Sequence, residues 1–153
     1  MIRIRINDTI RLPQAQAYLR ELSRYAVEIG IFGDSGSSAE GVSYVLIATV
    51  HEFGAAVKNI PERSFIRSTF DEKSDEWSNF IKKRISKVLT GAMPARQLYE
   101  MLGAKIASDI QTKIKTLQDP PNAASTVKQK GSSNPLIDTG GMRMRVTHRV
   151  VAK

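Results

Sequence analysis

The chain has 153 residues, with 23 lysines and arginines against 15 aspartates and glutamates, and it contains no cysteine. That length fits one domain able to bury a core without covalent staples. The missing cysteine excludes disulfides, thiolate metal sites, iron–sulfur clusters and cysteine nucleophiles, while the net charge of +8 favours an anionic partner and says nothing about fold.

The charge is unevenly placed. Residues 1–78 carry nine basic and eleven acidic side chains, whereas residues 79–153 carry fourteen and four. The positive excess therefore belongs to the second half.

In chain order, Ile2, Ile4 and Ile6 alternate with Arg3, Arg5 and Asn7. This is the period of a half-buried strand, and it offers no apolar core of signal-peptide length. Leu12, Ala15, Leu19 and Leu22 recur at helical spacing, with Pro13 placed in the first turn. Residues 27–32 are rich in β-branched side chains and predict a strand, which Gly33-Asp34-Ser35-Gly36 closes as a loop. Val42, Val45, Leu46, Val50 and Phe53 mark one face of a short helix stopped by Gly54.

After Ile60-Pro61, the residues Phe65, Ile66, Phe70, Trp77, Phe80, Ile81, Ile85 and Val88 predict a longer helical region ended by Thr90-Gly91. From Pro94 the stripe Leu98, Leu102, Ile106, Ile110, Ile114 and Leu117 predicts an amphipathic helix. Asp119-Pro120-Pro121 stops it. The polar segment that follows reads as a mobile loop at about 119–134. Pro135-Leu136-Ile137 re-enters the core, and Asp138 is placed to cap a single turn. Met144, Val146, His148 and Val150 then alternate with Arg143, Arg145, Thr147 and Arg149, a final strand with one apolar and one basic face.

These elements predict a single α+β domain over residues 1–153. Its small mixed or antiparallel sheet is built from the N-terminal strand, residues 27–32 and the C-terminal strand, packed against three to four helices. No repeat and no second domain is visible.

Catalytic constellations do not assemble. Gly33-Asp34-Ser35-Gly36 has the look of a serine-protease nucleophile loop, but the chain is too short and too helical for that fold, and such residues suit turns for their own reasons. His51-Glu52 matches the first half of a zinc-protease helix, yet the position for the second histidine is Ala55. No phosphate-binding glycine loop and no paired carboxylates occur. The reading is a non-enzyme without cofactor or metal. The better constellation is Arg143, Arg145 and Arg149 on the last strand, with Lys128 and Lys130 in the polar loop, as candidates for an interface or a DNA channel. No aromatics interleave with these arginines, which argues against base stacking.

Two short blocks are more specific. One is His51-Glu52-Phe53-Gly54 followed by Ile60-Pro61-Glu62-Arg63-Ser64-Phe65-Ile66-Arg67. The other is Asn134-Pro135-Leu136-Ile137-Asp138-Thr139-Gly140, then Met142-Arg143, before a closing strand. In this order and separation they resemble the virion-morphogenesis and tail-completion proteins of tailed bacteriophages and prophages, over most of the chain. Ser64 replaces that family's usual proline, and Met144-Arg145 replaces its common serine.

The resemblance implies structural roles for Glu52, Phe53, Gly54, Pro61, Arg63, Phe65, Asp138, Thr139, Gly140, Met142 and Arg143. It implies a virion protein of the neck or tail, assembled in the host cytoplasm. Such a protein forms a homo-oligomeric ring and contacts a head–tail connector, tail terminator or tail tube, with no membrane partner. Its basic side would meet packaged DNA or an acidic neighbouring ring, and the loops at 33–41 and 122–134 would serve as interface arms. The alternative is a basic nucleic-acid-binding module that uses the arginine-faced last strand.

Overall fold

The computed structural model describes residues 12–153, and the chain is an α+β domain organised around one helix. Leu98, Leu102, Ile106, Ile110 and Ile114 recur every four residues, so on a helix they form a single stripe. All five are buried along α5, Ala95–Thr116. Ahead of it come α1 (Leu12–Ser23), β1 (Tyr25–Gly30), α2 (Tyr44–Phe53), α3 (Arg67–Lys82) and α4 (Ile85–Leu89). After it come α6 (Ala124–Lys130), α7 (Gly141–Met144) and β2 (Thr147–Ala152).

β1 and β2 pair antiparallel, from Tyr25 opposite Ala152 to Gly30 opposite Thr147. Among the described residues they form a two-stranded ribbon, which is marginal in water by itself, and it lies across α5. Gly103 makes that approach possible. A Cβ at this position would stand 2.4 Å from the His148 ring, which accounts for a glycine inside a helix, where it costs about 1 kcal/mol relative to alanine. His148 Nε2 in turn lies 3.0 Å from Glu100 Oε2 on α5.

On the other flank α3 is tied to α5 through Trp77, whose Nε1 donates to Asp109 Oδ2 at 2.7 Å. Lys105 joins Asp109 to Glu76. Hydrogen bonds from Lys105 and then Lys73 lower the pKa of the Glu76 carboxyl to about 2. A smaller core of Val88, Ala95 and Leu98, with Leu22, Tyr25, Phe80, Ile81 and Met93 against it, seats α1 and α4 on the same helix.

Several expectations need correction. The N-terminal strand falls outside the described residues. The strand expected at 27–32 runs two residues earlier, Tyr25–Gly30. The helical region ended by Thr90-Gly91 breaks into α3 and α4, because the Arg84 amide turns back to the Ile81 carbonyl at 2.9 Å while its guanidinium stacks 3.6 Å over the Phe80 ring. Residues 122–134 are not loop throughout. Ala124, Lys128, Gln129 and Lys130 are good helix formers, and α6 closes at Gly131 with φ 69. Seven α-helical segments are present among the described residues, rather than three to four.

Candidate functional site

The two sequence blocks meet in space and form one joint. Its first half solves a capping problem. The residue before α3 is Ile66, which has no side-chain acceptor to offer the orphan N–H groups of a helix start. Glu52, at the end of α2, supplies the acceptor. Its carboxylate takes the amides of Phe65 (2.8 Å), Ile66 (2.9 Å) and Arg67 (3.0 Å), the Ser64 hydroxyl (2.8 Å) and Arg67 Nε (3.0 Å). A carboxylate at this end also complements the helix dipole.

Burial pushes the Glu52 carboxyl up, but these hydrogen bonds outweigh burial and hold it below its ordinary value. Ser64 thus has its own task, and its Oγ also accepts from the Ser68 amide at 3.3 Å.

Gly54 lets the chain turn from α2 toward this cap. It sits at φ 73 and ψ 173, a region essentially restricted to glycine, and a Cβ there would lie 2.8 Å from the Glu62 amide. Arg63 is buried and donates through Nε and Nη2 to the carbonyls of Pro120 (2.7 Å) and Pro121 (3.0 Å). It therefore clamps the chain leaving α5, and burial lowers its guanidinium from the usual value. Phe65 is fully buried beneath the cap. Pro61 is exposed and fixes the approach to the turn.

The second block builds the other half. Asn134 Oδ1 accepts from the amides of Leu136 and Ile137, a side-chain-closed turn. Leu136 and Met142 are buried. The cap of α7 differs from expectation. Gly140 (φ 79) holds the cap position, Thr139 Oγ1 accepts from the Gly141 amide at 3.3 Å, and Asp138 is exposed. Gly141 brings α7 against α2, since a Cβ there would stand 2.3 Å from the Tyr44 hydroxyl. A cleft of about 310 Å³ between the blocks is lined by Ser38, Glu40, His51, Asp138 and Thr139. Among the described residues no group of three or more histidines and carboxylates is placed to hold a metal.

The arginines expected on one strand face are dispersed. Arg143 and Met144 lie in α7, Arg145 in the turn after it, and only Arg149 is in β2. Two of the three hold the loop at 33–41 in place. Arg145 donates through Nε to the Ser35 carbonyl (2.6 Å) and through Nη1 to the Gly141 carbonyl (3.0 Å), and it stacks 4.0 Å over Tyr44. Arg149 pairs with Asp34 and stacks over Phe32. Lys128 is exposed on α6, and Lys130 is the last residue of that helix. Arg145→Ala is expected to cost about 1–2 kcal/mol of stability and to speed proteolytic cleavage within 33–41, a change that timed digestion and mass spectrometry detect.

Sequence periodicity places Val42, Val45, Leu46, Val50 and Phe53 on one helix face, and the structure turns most of that face outward. α2 instead buries Tyr44, Ala48 and Glu52, because Glu52 must reach α3 and Tyr44 must meet Gly141. Leu46 is left 55% exposed, Phe53 61% and Val57, just beyond, fully exposed. Arg67 stacks over the outer Phe53 ring at 4.6 Å. Scattered exposed apolar residues are ordinary, and Leu46 and Phe53, seven residues apart on α2, share one helix face. No helix among the described residues is long and apolar enough to cross a membrane.

Comparison of the chain with protein-family models, curated proteins and solved structures finds no match.

Proposed function

We propose that the chain is a non-enzymatic structural subunit of a tailed-phage or prophage particle, acting in head–tail joining or tail completion as part of a homo-oligomeric ring. The observation that carries this reading is the joint itself. The two blocks that resemble the tail-completion family spend their polar groups on scaffolding, with Glu52 as a cap, Arg63 as a clamp and Asn134 as a turn. The same joint presents the apolar face of α2 outward. In a ring, that face meets a different patch on the next copy, and rotational symmetry closes the chain of contacts.

Against the alternative nucleic-acid module stands the dispersal of its arginines, with Arg145 and Arg149 engaged by the 33–41 loop. Deleting the gene from the phage or prophage genome that carries it tests the assignment by electron microscopy. Separate heads and tails, or tails lacking an end structure, are the expected products. Normally joined, infectious particles from the deletion would refute it.

A further inference from the structure

One end of the molecule gathers cations that form no ion pair among the described residues. Arg20 lies in the last turn of α1, Lys82 in that of α3 and Lys87 in that of α4. Arg24, Lys83 and Lys153 lie just past the ends of α1, α3 and β2. All six are exposed and make no ion pair among the described residues.

Packing draws these termini together. Leu22 of α1 joins the Val88 cluster, the Tyr18 hydroxyl sits where a Cβ on Gly91 would be, and the Lys153 amide donates to the Arg24 carbonyl at 2.8 Å. Nearby acids among the described residues are few. Glu100 is engaged by Arg96 and His148, Glu28 stands opposite Arg149 across the ribbon, and Glu21 is the remaining carboxylate on α1.

Helix C-termini favour cations, and that accounts for one basic residue at each of three ends. It leaves Lys153, at the end of β2, without such a reason, and it does not require the second cation that Arg24 and Lys83 add at the ends of α1 and α3. The carbonyl ends also temper the repulsion among the six, which lets the free protein tolerate the cluster.

We propose that this end is a sequence-independent contact for the phosphate backbone of duplex DNA. Lysines dominate it, and they act as point charges suited to phosphates rather than as base readers. The aromatics of this region are occupied, with Tyr25 against Tyr99 and Phe80 under Arg84, so base stacking is not its mode. An acidic protein partner would need an apolar anchor within the charge, and among the described side chains of α1 the exposed leucine is Leu19. The inference concerns the isolated chain and does not depend on the particle assignment.

Fluorescence anisotropy of the full chain with a labelled duplex of arbitrary sequence, titrated across salt, tests it. Six phosphate contacts give a slope of log affinity against log salt of about −5. Lys82→Glu, Lys83→Glu and Lys87→Glu together are expected to make that slope shallower by about 3 and to weaken low-salt binding at least ~100-fold. The Lys115→Glu, Lys128→Glu pair, elsewhere on the surface, serves as control and is expected to have a smaller effect, with circular dichroism verifying that each variant is folded. Equal losses in both variants would overturn the proposal. So would an unchanged slope in the triple variant, or binding of polyglutamate with none of duplex.

Discussion

Replacing Glu52 with alanine is expected to destabilise the protein by about 3 kcal/mol, read as a lowered urea midpoint. The magnitude follows from what the side chain holds. Three backbone amides at the start of α3, the Ser64 hydroxyl and Arg67 share one buried carboxylate. Its loss leaves the amides of Phe65 and Ile66 without an acceptor. Phe65, fully buried beside them, loses the turn that positions it.

Glu52→Gln preserves the shape and removes the charge, so a smaller cost of about 1–2 kcal/mol is expected, and the two proteins, wild type and Glu52→Gln, also differ in pH response. The folded-state carboxyl lies below its ordinary value, so between the two values the unfolded chain binds the proton more readily. The stabilisation is fully present above the unfolded value and fades as pH falls through the folded one. As pH falls below the ordinary carboxylate range, wild type should therefore lose a part of its urea midpoint that the Glu52→Gln variant does not lose. Parallel acid sensitivity in both proteins would show that Glu52 is not the group responsible.

The helices are readable in the sequence where burial obeys periodicity. The α5 stripe runs from Leu98 to Ile114 with every member buried, because a central helix has no competing demand on that face. α2 departs from its pattern for the opposite reason. Its strongest apolar stripe includes Leu46, Val50 and Phe53, but two polar tasks set its rotation, the cap made by Glu52 and the contact of Tyr44 with Gly141. Hydrophobic spacing cannot report a helix turned by a long-range hydrogen bond.

A signal for the cap is nevertheless present. A helix start at Ile66 with no Ser, Thr, Asp or Asn at the cap demands an outside acceptor, and the only motif carboxylate on the preceding helix is Glu52. The arginine face fails through register. Gly140-Gly141 and Met142 extend a helical turn to Met144, so the alternation from Arg143 to Arg149 spans a helix, a turn and a strand rather than one pleated surface. α6 is hidden by composition, since polar helix formers bury little and leave no apolar period to read.

The joint of the two sequence blocks turns an apolar helix face outward, and the proposed ring requires that face to meet further copies of the chain. Leu46 and Phe53 are the exposed anchors of that face, on α2 and seven residues apart. Neither is part of the buried core, so Leu46→Asp with Phe53→Asp should keep the folded circular dichroism spectrum. Stability, read from the urea midpoint, should fall by about 1 kcal/mol, because Arg67 loses the Phe53 ring and a carboxylate is placed at the C-terminal end of α2. At a contact between copies, two unpaired carboxylates cost several kcal/mol, and association should weaken at least ~100-fold.

Sedimentation velocity over a concentration series measures this association, with wild type and the double variant run side by side. Wild type is expected to shift to larger species as concentration rises while the folded variant stays monomeric. Wild type that remains monomeric throughout, or a variant that assembles as wild type does, would contradict the ring.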